Sequence, residues 1–133
     1  MANAPFKLAD YPIALQLGGK ATIQERFTGE LSWYDGFLER TRNDGVEARL
    51  VSLHTFTSPW DAWEMHPEGD ELVVCVEGSL DLLQEVNGEQ VRVTLNKGDA
   101  VVNPPGTWHT ADVEHSATAL FVTAGLGTQH RPR

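Results

Sequence analysis

Short apolar and β-branched runs recur about every 8–12 residues along this chain, separated by glycine and proline turns, a rhythm that favours a sandwich or barrel over an alternating βαβ sheet. Residues 48–57 (ARLVSLHTFT) predict one strand, and residues 72–76, 100–102 and 117–123 predict others. The sharpest local signal is Asn87-Gly88 between residues 80–86 and 89–95, a composition that specifies a two-residue hairpin turn. That turn sets the register: Val86 opposite Glu89, Gln84 opposite Val91, Leu82 opposite Val93 and Leu80 opposite Leu95 form a mostly apolar face. Glu85 with Gln90, Leu83 with Arg92 and Asp81 with Thr94 fall on the polar face. Lys97-Gly98-Asp99 and Asn103-Pro104-Pro105-Gly106 predict the turns that follow.

One segment departs from the β rhythm. Residues 31–43 (LSWYDGFLERTRN) place Trp33, Tyr34, Phe37, Leu38 and Thr41 at helical spacing. Ser32 with Asp35 is a candidate cap, and Asp44-Gly45 is the stop. Residues 1–27 show no clear period and are read as an arm with one short strand, and LGTQHRPR is read as an irregular end. With no repeat, low-complexity stretch or linker, the expected organisation is an arm and helix over 1–45, a barrel core over 46–124 and a tail over 125–133.

Composition sets bounds without naming a function. The 133 residues suit one compact domain, and 41% apolar content supports a core without disulfides or structural zinc. A formal charge of −9 disfavours nucleic acid and anionic membrane surfaces as partners. The single cysteine, Cys75, lies in an apolar run and reads as a buried thiol. The N-terminal residues lack the pattern of a secretory signal, no segment approaches a spanning length, and the expected location is cytoplasmic.

The chemistry concentrates in WEMHPEGDELVVCVEG, residues 63–78, where charged groups adjoin a strand fit for burial. If residues 63–66 are extended, Glu64 and His66 leave the same face. After the turn residues 67–70, Glu71 opens the next strand and can point back to the same space, and His109 follows the Pro-Gly turn. Two imidazoles and two carboxylates suit a divalent first-row cation, whose two charges the carboxylates offset. Taken singly, His66 and His109 read as ordinary structural histidines, and Glu64 as a surface residue of an edge strand. Glu68, Asp70, His115 and His130 read as solvated, and His54 as a packed strand residue ahead of one that lines the barrel interior. Trp60, Trp63 and Trp108 crowd the same segments, either as pocket walls or as core filler. Gly78, Gly98 and Gly106 read as glycines that let strands reverse.

In joint spacing these residues resemble the two motifs of the cupin superfamily. The first, G-x5-H-x-H-x(3,4)-E-x6-G, is met by Glu64, His66, Glu71 and Gly78, and the second, G-x5-P-x-G-x2-H-x3-N, by Gly98, Pro104, Gly106 and His109. The resemblance spans roughly residues 46–124 and departs from the pattern at Ser58, Val113 and Glu64, which stand at the opening glycine, the closing asparagine and the first histidine. It implies an all-β fold: a double-stranded β-helix (jelly-roll) barrel with one short N-terminal helix. It also implies a ligand set of two histidines and two glutamates (Glu64, His66, Glu71 and His109) for Fe, Mn, Ni or Zn. Such barrels often form homodimers, and the strand around Val73 is the candidate for a strand-to-strand contact.

Function follows from the resemblance only as a class, because the superfamily holds dioxygenases, isomerases, decarboxylases, sugar-binding domains and storage proteins. The expectation is a metal-binding barrel acting on a small oxygenated molecule, as a dioxygenase or isomerase, with Glu64 as the carboxylate that takes a proton. The alternative is a non-catalytic module that binds or senses a small molecule. With no DNA-binding segment evident, a transcription regulator is disfavoured.

Overall fold

The computed structural model describes residues 4–133. Its strands are β1 (Ile13–Gln16), β2 (Lys20–Ile23), β3 (Arg49–Phe56), β4 (Ala62–Met65), β5 (Glu71–Val86), β6 (Glu89–Asn96), β7 (Ala100–Asn103), β8 (His109–Asp112), β9 (Ala117–Thr123) and β10 (Gln129–Pro132), with one helix, α1 (Leu31–Arg40), between β2 and β3. Every strand pairing is antiparallel. One sheet runs β2-β1-β3-β9-β5-β7 and the other β6-β5-β8-β4-β10. The result is the all-β barrel with one short helix that the strand rhythm and the motif resemblance lead one to expect.

The strand β5 belongs to both sheets. Its first half pairs with β9 and β7, and its second half with β6 and β8. A straight strand would hold Glu71 and Gln84 more than about 40 Å apart at 3.3 Å per residue. Instead the Asn103 side chain touches both: Gln84 Nε2 donates to Asn103 Oδ1 at 2.7 Å, and Asn103 Nδ2 donates to Glu71 Oε1 at 3.1 Å. The chain therefore bends over the core at the bulge between Cys75 and Glu77 and at Gly78, whose φ is +72°. No turn separates two strands there; Gly78 instead carries one strand from sheet to sheet. A Cβ at this position would lie 2.1 Å from the Ser116 carbonyl oxygen, so only glycine fits.

Inward positions of β9 and the first half of β5 alternate strictly: Ala117, Ala119, Phe121 and Thr123 face Val73 and Cys75 in a core that Leu80, Leu82, Leu95, Ala111 and Val113 complete. Val73 is fully buried, with Phe121 on one side and Val101 on the other, so it is not available for the intersubunit contact that its place in the sequence suggests. The hairpin register is the one expected from Asn87-Gly88. Its apolar face is dry only near the barrel, where Leu80, Leu82 and Leu95 are buried, while Val86 and Val91 stand exposed at the tip, and Leu83 on the opposite face is buried.

The N-terminal arm holds two strands where one was expected, and β1 extends the first sheet beside β3. Helix α1 seats Trp33 and Phe37 against Ala14 and Leu50. Glu30, not Ser32, occupies the N-cap position, and no side chain caps that end. At the other end Thr41 donates from both its backbone N–H and its hydroxyl to the Phe37 carbonyl. The C-terminal segment read as irregular is the strand β10, paired with β4. No helix among the described residues is long and apolar enough to cross a membrane.

Replacing Gly78 by alanine is expected to cost about 3 kcal/mol or more, since it combines a left-handed backbone with a clash against a carbonyl. Urea denaturation of G78A beside the unchanged protein measures it; a loss under about 0.5 kcal/mol would show that the bend tolerates a side chain.

Candidate metal centre

Register alone brings the site together from both sheets. On the second sheet Glu64 of β4 lies directly opposite His109 of β8, which lies opposite Gln84 of β5. On the first sheet Glu71 of β5 has Thr123 on one side and Asn103 on the other. His66 follows β4 by one residue and turns inward, nearly buried. The four residues singled out from the sequence therefore meet. His66 Nε2 and His109 Nε2 each stand 3.1 Å from a Glu71 oxygen, and Glu64 Oε2 lies 3.9 and 3.8 Å from the same two nitrogens. Glu64, His66 and His109 each offer a ligand atom within 4.8 Å of the other two.

Hydrogen bonds on the far side of each ring fix what the near side presents. Thr128 Oγ1 donates to the Gly125 carbonyl, so it accepts the bond from His66 Nδ1 at 2.7 Å. His109 Nδ1 donates to the Thr107 carbonyl at 3.2 Å. In its neutral form each imidazole thus carries the proton on Nδ1 and a bare lone pair on Nε2. Both Nε2 atoms are buried and complete no hydrogen bond: the Glu71 oxygens are near enough, but lie off the direction an N–H would take. A divalent cation fits this arrangement. Two donors about 2.1 Å from a shared ion stand about 3.0 Å apart when they meet it at a right angle, which is close to the 3.1 Å observed.

Glu71 is 3% exposed and accepts from Asn103 Nδ2 on Oε1 and from Thr123 Oγ1 at 2.6 Å on Oε2. Burial alone would raise its pKa, but the facing rings of His109 and His66 hold it well below the usual carboxylate range. For His109, burial works against the charged ring, yet Glu71 and Glu64 draw its pKa upward. A positive charge, as protons or as a metal, is what this carboxylate demands. Glu64 is partly exposed toward the cavity, and its other oxygen, Oε1, lies 3.2 Å from His130 Nε2. His130 is directly opposite Glu64 in the β10–β4 pairing, and this carboxylate raises its pKa.

Above the site opens a cavity of about 1000 Å³, walled by Tyr34, His54, Phe56, Trp60 and Phe121, with Glu64, His66 and Glu71 at its floor. Of the three tryptophans near the motifs, only Trp60 lines it; Trp63 and Trp108 instead hold the Arg131 guanidinium between them at 5.2 and 4.5 Å. His54 is a cavity wall as well as a packed residue, and burial pushes its pKa down. His115 is exposed, as are the turn residues Glu68 and Asp70.

The supporting residues were not singled out from the sequence, although some left a signal. Gln84 and Thr123 are polar residues in the inward phase of otherwise apolar strands. Thr128 and His130 left none, because β10 has no apolar alternation.

The cupin domain family matches residues 54–125, while no curated protein matches the sequence. Among solved structures, a cupin-2 domain protein from Shewanella frigidimarina NCIMB 400 aligns at 20% identity over 64% of this chain and 71% of its own, with a TM-score of 0.49. A hydroquinone 1,2-dioxygenase in complex with Cd2+ and 4-hydroxybenzonitrile aligns at 14% identity over 56% of either chain, with a TM-score of 0.51. A recombinant oxalate oxidase in complex with glycolate aligns at 14% identity and a TM-score of 0.53, over 61% of this chain and 45% of its own. This chain thus spans about half the length of the two enzymes. The family match covers more than half of the sequence and both of its motifs, and the chain belongs to the cupin family.

Proposed function

We propose that this protein is a metal-dependent cupin in which Glu64, His66, Glu71 and His109 hold one divalent cation (Fe, Mn, Ni or Zn), and that a small oxygenated molecule binds against that ion from the cavity. The observation that carries this is the pair of buried, unpartnered Nε2 atoms facing a buried carboxylate. When bound, such an ion supplies Lewis acidity toward an oxygen of the ligand and reactivity toward dioxygen.

The chain's own residues divide the remaining tasks. Thr128 and the Thr107 carbonyl orient the two rings so that their Nε2 atoms face the site. Glu71 is locked by Asn103 and Thr123, and Gln84 orients Asn103 in turn. Glu64 is the mobile member: it borders the cavity, and only the half-exposed His130 holds its outer oxygen. We assign Glu64 the role of proton acceptor from the bound molecule. Phe56, Trp60 and Phe121 keep water from the inner wall. A dioxygenase-type reaction is the favoured version. It is supported by the shared fold with a hydroquinone 1,2-dioxygenase and with an oxalate oxidase solved with glycolate, both of which take small oxygenated molecules.

Elemental analysis of the purified protein is expected to find about one divalent ion per chain, removed by chelator together with any turnover. Thr128→Val should lower metal affinity by about 10–100-fold with little loss of stability, because it frees a ring without touching the ion; titration calorimetry with Zn2+ reads it. Glu64→Gln should retain the fold and lose turnover, with weaker metal binding. Unchanged metal affinity and activity in Glu64→Gln would remove Glu64 from the ligand set and from the proton-transfer role.

A further inference from the structure

The floor of the cavity accounts for a metal, and its walls say what accompanies it. Among the described residues, no lysine or arginine lines the cavity, whereas Asp35, Asp61, Glu64 and Glu71 do. Once Glu64 and Glu71 offset a divalent ion, the floor is near neutral, and Asp35 and Asp61 leave the lining with a negative balance. An organic anion entering here would leave water with only His130, already engaged by Glu64, to offer a counter-charge. An ammonium or guanidinium group has no lone pair to offer the ion.

Apart from Asp35 and Asp61 at the rim and His130 beside Glu64, the polar groups offered above the floor are uncharged at neutral pH. Burial, with Glu64 and Glu71 adding to it, pushes the Tyr34 phenol up to about 12, and burial holds the His54 imidazole down. Ser52 contributes a hydroxyl. The Trp60 indole N–H lies in the same wall, buried and without an acceptor in the protein. The remaining wall is aromatic, with ring centroids 5.4 Å apart for Phe56 and Trp60, 6.1 Å for Trp60 and Phe121, and 5.9 Å for His54 and Phe121. Such a wall favours a flat, apolar body over a small hydrated one.

We propose that the cavity takes an uncharged aromatic molecule carrying neighbouring hydroxyl or carbonyl oxygens, and that it discriminates against organic anions of the same size. The anchor for the oxygens rests on the proposed metal; the choice of charge and of ring rests on the cavity walls alone.

Calorimetric titration of the Zn2+-loaded protein with 2-hydroxyacetophenone, mandelate and hydroxyacetone tests this. The first two share a ring and an oxygen pair and differ in charge; the first and third share the oxygens and differ in the ring. Mandelate is the stronger chelator in free solution, so a preference for the ketone has to come from the pocket. The expected result is that 2-hydroxyacetophenone binds roughly tenfold or more tighter than either of the others. The exposed rim pair Asp35→Lys with Asp61→Lys should narrow the gap to mandelate severalfold by supplying the missing counter-charge. Mandelate binding as tightly as the ketone overturns the charge preference, hydroxyacetone doing so overturns the ring preference, and no binding by any of the three overturns both. A protein that takes up no Zn2+ in a prior titration sinks the metal reading instead. The ranking of the same three compounds on that metal-free protein then decides the wall preference by the same criteria.

Discussion

A carboxylate buried in the middle of a barrel needs compensation, and Glu71 obtains it from every side. Its cross-strand neighbours Thr123 and Asn103 donate to its two oxygens, and two imidazoles face it at 3.1 Å. A charge this far from water costs several kcal/mol unless it is paired. Much of the surrounding structure can be understood as meeting that demand. Gln84 reaches across from the other sheet to orient Asn103, Thr128 and the Thr107 carbonyl point the rings, and the strand that carries Glu71 bends so that its own far end closes the network. The arrangement is stable in electrostatic terms only when something positive sits between the rings and the carboxylate. A site of this kind is poised for a cation by the same forces that order the core.

Glu64 differs in kind from its neighbours. It shares the space but is partly exposed, and its outer oxygen meets only His130 at the rim. One carboxylate therefore has hydrogen-bond donors on both oxygens and the other meets only a histidine at its outer oxygen, although both stand on strands and both face the same rings. That difference comes from position in the sheet. Glu71 lies between two donor-bearing strands, whereas Glu64 lies between β8, which supplies His109, and β10 near the end of the chain.

Much of this was legible in the sequence wherever local chemistry and tertiary structure agree. Asn87-Gly88 specified a register that the structure keeps residue for residue, and the spacing of Glu64, His66, Glu71 and His109 brought four residues together that do meet. The rest was hidden for identifiable reasons. Gly78 looked like a reversal because a positive φ is the usual mark of a turn, whereas here it lets a strand bend past the Ser116 carbonyl. The strand β10 has no apolar alternation, since its pairing with β4 and the seat of Arg131 between Trp63 and Trp108 hold it in place of core burial. Without that strand Thr128 and His130 had no location, so neither the support of the His66 ring by Thr128 nor the contact of His130 with Glu64 could be foreseen. Of the cavity walls Trp60 was legible as a candidate, but Tyr34 was not, because a helix and a strand bring it and His54 together only around the barrel mouth.

The passage of one strand through both sheets also bears on how the molecule opens. Amide groups on either side of the bend are tied to a single backbone, so neither sheet can loosen as an isolated unit. Hydrogen bonds lead from Glu71 through Asn103 to Gln84, which stands in the ladder that ends at Asn87-Gly88. Solvent exchange of protons in that distant hairpin would thereby gauge whether the proposed ion is bound.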